Sequence, residues 1–344
     1  MDKIITVPFG YLLDWLYQFT TNYGVALIIF AVIVQLVLLP ITMKSKKSMM
    51  KMSRLQPRIQ EIQRKFANDQ QKQNEEIQKL QQEEGATMGM GGCLWSLVPL
   101  FILIPLFTVI REPLTYILGE GAEVAAQIIE VIKTAAPEIF SKNNYYDQVT
   151  AAQAIPQFAE QLKAAIPGIS ETTLAGVNFN FLGINLGMIP QFNVFAPTWA
   201  WDWAHIGAFL IPCLSAGSQV LSMWIAQKGN DSVLTNEKGI QDKEMAKNSQ
   251  QNQSTQMMMY MMPLMSLWIG FTVSASLSLY WFVGGIVGMV SDALMTKHYR
   301  KIYDAEDAVR LQRYLEEERL EAEKERIRAE RRAANPDGIT TNTS

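Results

Sequence analysis

The sequence predicts an all-α polytopic membrane protein. Five transmembrane helices are expected, with the N-terminus outside, the C-terminus in the cytoplasm, and a cytoplasmic helical hairpin between the first two spans. Three observations carry this: long windows almost free of charge, a lopsided distribution of Lys and Arg between them, and an apolar stripe of helical period in the polar segment after the first window. Overall balance is uninformative, since 30 Lys+Arg against 33 Asp+Glu leave a net charge of −3 over 344 residues. Two cysteines and two histidines exclude a disulfide framework and a Cys/His metal cluster.

The first window, residues 23–43, holds 21 residues without a formal charge, about 31 Å as a helix. Further spans are expected at 94–111, 206–227, 257–273 and 277–296. The fourth has 17 residues, about 26 Å, a little short of a hydrocarbon core of about 30 Å. Residues 44–93 carry ten basic side chains, 227–256 four and 296–344 eleven, whereas the long stretch 112–205 carries only Lys133, Lys142 and Lys163. Because basic residues stay on the cytoplasmic side, the segments 44–93 and 228–256 and the charged tail 297–344 are assigned there, and the 112–205 loop is assigned outside.

Residues 1–22 contain one basic residue, Asp14 in the apolar part and no small-x-small cleavage site, so they read as an uncleaved segment. Phe9, Leu12, Leu13, Leu16 and Tyr17 recur at helical spacing, as in an amphipathic helix lying in the outer interface. In the segment 44–84, Met52, Leu55, Ile59, Ile62 and Phe66 step by 3 and 4 along one helix face. A second arm from Gln70 to Glu84 offers only Ile77 and Leu80, with a turn expected near Asn68 and Asp69. With its high charge and so weakly apolar a second arm, the hairpin 44–84 is expected to be mobile. The outer loop has helical patterns at 124–135 and 151–165, then a Gly/Pro/Asn-rich aromatic run ending in Trp199, Trp201 and Trp203, where an aromatic belt would sit. In the tail, Glu alternates with Arg and Lys; this reads either as a solvated helix or as a basic arm for RNA contact.

The spans offer little for catalysis. They hold a single acid, Asp292, and no GxSxG, and no Walker-type phosphate loop occurs in the chain, so neither hydrolysis nor ATP-driven pumping is expected, and the protein is read as no enzyme. No cofactor and no small-molecule substrate are expected. What the spans do hold is a scatter of polar side chains: Gln35, Ser215, Ser218, Gln219, Ser222, Ser291 and Asp292. Such groups are costly against lipid, so they are expected to face a bundle interior or a wet cavity, or to bond helix to helix. Gly284 and Gly288 have the spacing of a close helix-packing face.

Several stretches, in order, resemble one family. They are Leu38-Leu39-Pro40 closing the first span, Leu55-Gln56-Pro57 and Lys65-Phe66 in the hairpin, Gly92-Cys93-Leu94 opening the second span with Pro105 inside it, and Leu279-Tyr280-Trp281 in the fifth. Together with the hydropathy map they resemble the YidC/Oxa-type membrane protein insertases, in the Gram-positive-like form that lacks a large extracytoplasmic domain. The resemblance implies an insertase and membrane chaperone of the bacterial cell membrane, acting alone or beside the Sec translocon. It also implies a hydrophilic groove open to cytoplasm and lipid. Carried onto this chain, Gln35, Ser218, Gln219 and Trp281 would line that groove or its slide. Leu55, Pro57, Ile59, Ile62 and Phe66 of the hairpin would recruit the incoming chain or its targeting machinery. Nascent membrane proteins, membrane lipid, the Sec translocon and, through the tail or cytoplasmic loops, the ribosome are the implied partners. Many relatives carry an arginine in the first span where this chain has Gln35. That departure supports a different reading, an assembly scaffold for membrane complexes without insertion activity. A solute transporter is disfavoured by an odd span number without an inverted repeat.

Overall fold

The structure, a computed structural model, describes residues 2–84, 102–140, 144–196, 199–231 and 253–334. Among the described residues the regular structure is helical apart from one two-stranded ladder, and the chain divides into two units. The first comprises residues 1–46, 88–227 and 250–294, and the second 47–87, 228–249 and 295–344.

In the first unit, α1 (Asp2–Thr20) buries Leu13 and Leu16 and leaves Tyr11, Trp15 and Phe19 exposed, the amphipathic helix expected of its spacing. Thr21 then takes a positive φ of 53°, and the Asn22 side chain accepts a bond from Val25 N at 3.1 Å, which caps the first turn of α2 (Tyr23–Lys65). The buried side chains of α2 here are Tyr23, Ala26, Leu27, Phe30, Ala31, Val34 and Leu38, a stripe of helical period. After α3 (Gln70–Glu83, in the second unit), α4 (Ile102–Arg111) is the described part of the expected second span; residues 94–101 and Gly92-Cys93-Leu94 lie outside the described residues.

The segment after α4 is folded. It contains α5 (Pro113–Tyr116), α6 (Ala122–Ala135), α7 (Asp147–Ala154), α8 (Ala159–Ala165) and α9 (Glu171–Leu174). Ile128, Ile132, Ile155 and Leu162 are buried in the same core as Leu27 and Phe30 of α2. An antiparallel hairpin follows, β1 (Asn180–Phe181) and β2 (Ile184–Asn185), and it qualifies the all-α expectation. Its two turn residues, Leu182 and Gly183, both have positive φ (54° and 80°), the conformation a two-residue loop needs to match strand twist. Leu182 is held there by Trp203, whose indole Nε1 donates to Leu182 O at 2.8 Å.

Three further helices complete the chain: α10 (Trp203–Asp231), α11 (Gln253–Gly270) and α12 (Ala275–Ala334). Among the described residues, three helices (α2, α10 and α12) are long and apolar enough to cross a membrane, and α4 and Met261–Gly270 of α11 are shorter apolar stretches. Two expected boundaries are not helix ends. The helix of the first span continues past 43 to Lys65, and that of the fifth runs past 296 to Ala334. Hydropathy marks where apolar surface stops; the polar continuations keep good helix formers, so nothing breaks the backbone.

In the second unit, α2 ends at Lys65, a turn covers 66–69, and Asp69 caps α3 by accepting from Lys72 N at 3.1 Å. Leu55 and Ile59 pack on Leu80, flanked by Met52, Ile62 and Ile77. Met50 is buried with Met295, Tyr299 and Tyr303, which recur every fourth residue on α12.

Candidate functional site

Two of the polar side chains singled out by the sequence, Gln35 and Ser218, meet two adjacent glycines of α12. A Cβ on Gly284 would lie 3.0 Å from Gln35 Nε2 of α2, and one on Gly285 would lie 2.4 Å from Ser218 Oγ of α10. Without side chains, the two glycines let α12 pass close to both neighbours at one level. Ser218 is buried and donates to Ser215 O at 2.7 Å, a bond back onto its own helix. The Gln35 amide is only half-buried, and none of its hydrogen bonds goes to a described residue.

Gln219, expected beside Ser218, faces elsewhere. Its Oε1 accepts from Ser266 Oγ of α11 at 2.9 Å and its Nε2 reaches Ser215 Oγ at 3.4 Å, so it bonds α10 to α11. One residue along a helix is a rotation of about 100°, which separates Ser218 and Gln219 onto different neighbours. Trp281 is half-buried against the main core, one turn before the glycine pair. Gly288, expected to share a packing face with Gly284, has no atom within 4 Å of its Cβ direction. The close approach is therefore made by the tandem pair Gly284-Gly285, because the two neighbours touch adjacent positions of α12.

At the end of this unit nearest the charged segments, Lys46 Nζ lies 3.0 Å from Asp292 Oδ2, with side chains 4% and 17% exposed. The acid that stood alone in the fifth span thus has a partner on α2. Sequence reading missed this pair, since Lys46 was counted only as a positive-inside residue.

In the second unit, Arg54 pairs with Asp307 and places its guanidinium 4.6 Å from the Tyr303 ring centre. Glu84 receives Arg58 at 2.8 Å and Arg310 at 2.9 Å. A small cavity of about 80 Å³ lies among Lys51, Arg54, Glu84, Tyr303, Glu306 and Arg310. Burial opposes the charge on Glu84, yet Arg310 and Arg58 hold its carboxyl below the usual range. At Asp307 burial prevails over the neighbouring Arg54 and raises the carboxyl. Of the residues expected to recruit an incoming chain, Leu55 and Ile59 are buried under the second arm, and Pro57, Ile62 and Phe66 are half-buried. The apolar stripe is consumed inside the helix pair; a poorly apolar arm suffices to cover it, because ion pairs with Arg58 and Arg310 add to the two contacts of Ile77 and Leu80.

Among the described residues no cluster of His, Cys, Asp and Glu could hold a metal ion. Compared with known proteins, residues 15–302 match the model of a family described as 60Kd inner membrane protein. The chain belongs to that family. Its relatives include a protein named membrane protein insertase YidC from Caldanaerobacter subterraneus subsp. tengcongensis, 42% identical over 31% of this chain and 52% of the relative. Another of that name, from Syntrophobacter fumaroxidans, is 38% identical over 30% of this chain and 18% of the relative. A third, membrane protein insertase YidC 2 from Listeria innocua serovar 6a, is 26% identical over 95% of this chain and 82% of the relative. The chain thus spans about half the length of the first and under a fifth of the second. Family membership and the long apolar helices make this a protein of the bacterial cell membrane.

Proposed function

We propose that this protein is a membrane protein insertase and chaperone. It lowers the barrier to insertion by offering polar surface at bilayer depth, and the contact of Gln35 and Ser218 with the tandem glycines of α12 carries this reading. A half-buried amide with no described protein partner is costly against hydrocarbon and useful against the polar flank of an entering segment. Water or substrate at Gln35 supplies the missing bonds. Membership in a family whose relatives are named insertases supports the same function.

In this reading five spans cross the membrane from an outer N-terminus to a cytoplasmic C-terminus, and α3 with the polar half of α2 forms the cytoplasmic hairpin. A groove open to cytoplasm and lipid has Gln35 in its lining. The apolar part of the substrate leaves past the exposed Leu214, Leu221 and Trp224 of α10 and Ile286 and Val290 of α12. Nascent membrane proteins are the substrates, and the Sec translocon and the ribosome are partners. The neutral Gln35 favours a second reading, a scaffold that assists assembly without inserting.

The test is insertion of a single-span substrate into liposomes, read by protease protection. Protection several-fold above empty liposomes supports the insertase. Protection equal to empty liposomes, with mature partners still bound, moves the assignment to the scaffold.

A further inference from the structure

Three helices meet at the Gln35 level, and the same three are touched, further toward the loop side, by one small element. On α2, Gly24 lies under Phe181, where a Cβ would stand 2.3 Å from the ring, and Tyr23 packs against Phe179 with ring centres 4.6 Å apart and the rings tilted by 59°. On α10, Gly207 lies under Ile184, where a Cβ would stand 2.4 Å from Cδ1. On α12, Ala275 N donates to Met188 O at 2.9 Å, and Ser276 donates to Leu186 O through both its backbone N (2.9 Å) and its Oγ (2.8 Å). The hairpin Asn180–Asn185 and the residues just after it therefore bridge α2, α10 and α12 at once.

The register along the helices is regular. Gly24 precedes Gln35 by eleven residues and Gly207 precedes Ser218 by eleven, about 16 Å in each case; Ser276 precedes Gly284 by eight, about 12 Å. The hairpin thus sits about two to three turns from the polar contact on every helix that makes it. Each site is built for close approach. Two of the three contact residues are glycines, and Ser276, fully buried, spends both donors on one loop carbonyl. The turn is itself held in a conformation unusual for leucine, φ 54° at Leu182, by the Trp203 indole at the head of α10. A connecting loop that merely joined two spans would need none of this.

An outer side closed to the groove is part of what the family resemblance implies; we propose that in this chain the β-hairpin makes that closure, as a wedge that sets the spacing of α2, α10 and α12 on the loop side of the Gln35–Ser218 level. Phe181, Ile184 and Ser276 are its positioning residues. This rests on the membrane orientation given above. Entering polar segments then stop at the Gln35 level and leave sideways, since the way onward is filled by Phe181 and Ile184.

The test is one-sided labelling. A Gln35→Cys variant of the full chain, with Cys93→Ser and Cys213→Ser, is placed in vesicles of known orientation and treated with a membrane-impermeant maleimide on either side. With the hairpin intact, no labelling is expected from the loop side. Adding Phe181→Ala and Ile184→Ala is expected to raise loop-side labelling at least several-fold. Ser276→Ala, which removes one hydrogen bond and leaves the apolar packing, should give a smaller rise and serves if the double variant fails to fold. Loop-side labelling of the intact chain overturns the proposal, as does unchanged protection in folded hairpin variants. Labelling from the cytoplasmic side of the membrane reports on the groove separately, so failure of the groove and failure of the wedge are distinguishable.

Discussion

Gln35 of α2 rests against Gly284 of α12, so close that a methyl group there would fall 3.0 Å from its Nε2. The next residue, Gly285, stands in the same relation to Ser218 of α10. These contacts rank three substitutions. In Gly284→Ala the new methyl meets the far end of a flexible side chain that can turn aside. In Gly285→Ala it meets Ser218 Oγ at 2.4 Å and Cβ at 3.3 Å, which can yield only if α10 moves. Gly288→Ala meets nothing and removes a glycine from a helix interior, a gain of about 0.5–1 kcal/mol. Thermal unfolding in detergent should order the midpoints Gly288→Ala highest and Gly285→Ala lowest, and the reverse order would contradict the close approach.

Lys46 and Asp292 form a buried pair, so removing either partner strands the other. Loss of one charge is expected to cost about 3–5 kcal/mol. Asp292→Asn and Lys46→Ala should each lower stability, and the exchange Lys46→Asp with Asp292→Lys should restore most of it. A double exchange no better than the singles would show that the two side chains do not pair in the membrane.

Much of this was legible in the sequence, because hydropathy and helical period read the same physics that folds the chain. The 3-4 stripe through Leu55, Ile59 and Ile62 gave the helix and its buried face, and Asn68-Asp69 gave the turn. What the stripe could not say is what covers it. A periodic face is equally a docking surface or an internal seam, and here Leu80 fills it. Gln35 and Ser218 share a neighbour in α12, whereas Gln219 bonds to α11 and Gly288 meets nothing within 4 Å, differences that a spacing rule does not show because adjacent residues on a helix are 100° apart. The Lys46–Asp292 and Arg54–Asp307 pairs join residues about 250 positions apart, and composition carries no trace of such pairing. The hairpin at 180–185 was hidden in a run rich in Gly, Pro and Asn that reads as loop.

The expected mobility of α3 has a counterweight in the ions around Glu84. Arg58→Ala together with Arg310→Ala should leave α3 held by Ile77, Leu80 and the hydrogen bond from Gln73 Nε2 to Gln63 O. Backbone amides of 70–83 should then exchange at least ten-fold faster, while those of 25–34 stay unchanged. Equal exchange in variant and wild type would mean that these pairs hold nothing in place.

The two carboxyls of the second unit respond oppositely to acid. Glu84 sits below its usual value in the folded chain, so its contribution is present above the unfolded value and is lost as pH falls through the folded one. Asp307 sits above its usual value, so the folded chain takes its proton first, and acidification between the two values favours the folded form through this residue. Exchange rates corrected for their intrinsic pH dependence and followed from pH 7 downward should show protection near Asp307 held or increased first, and protection near Glu84 lost only at lower pH. Substituting Asp307→Asn should remove the first effect alone, and early loss of protection near Asp307 would contradict the assignment.

The most direct measurement places a photo-crosslinking side chain at Gln35, at Ser218 and, as a control, at the exposed Tyr11, and presents ribosome-bound chains of a single-span substrate at increasing lengths. The expected result is crosslinks from 35 and 218 to the polar flank of the substrate at intermediate lengths, fading as the span enters lipid, and none from 11. Crosslinks absent from 35 and 218 at every length, while the substrate still inserts, would show that insertion takes another path and that Gln35 only joins helices.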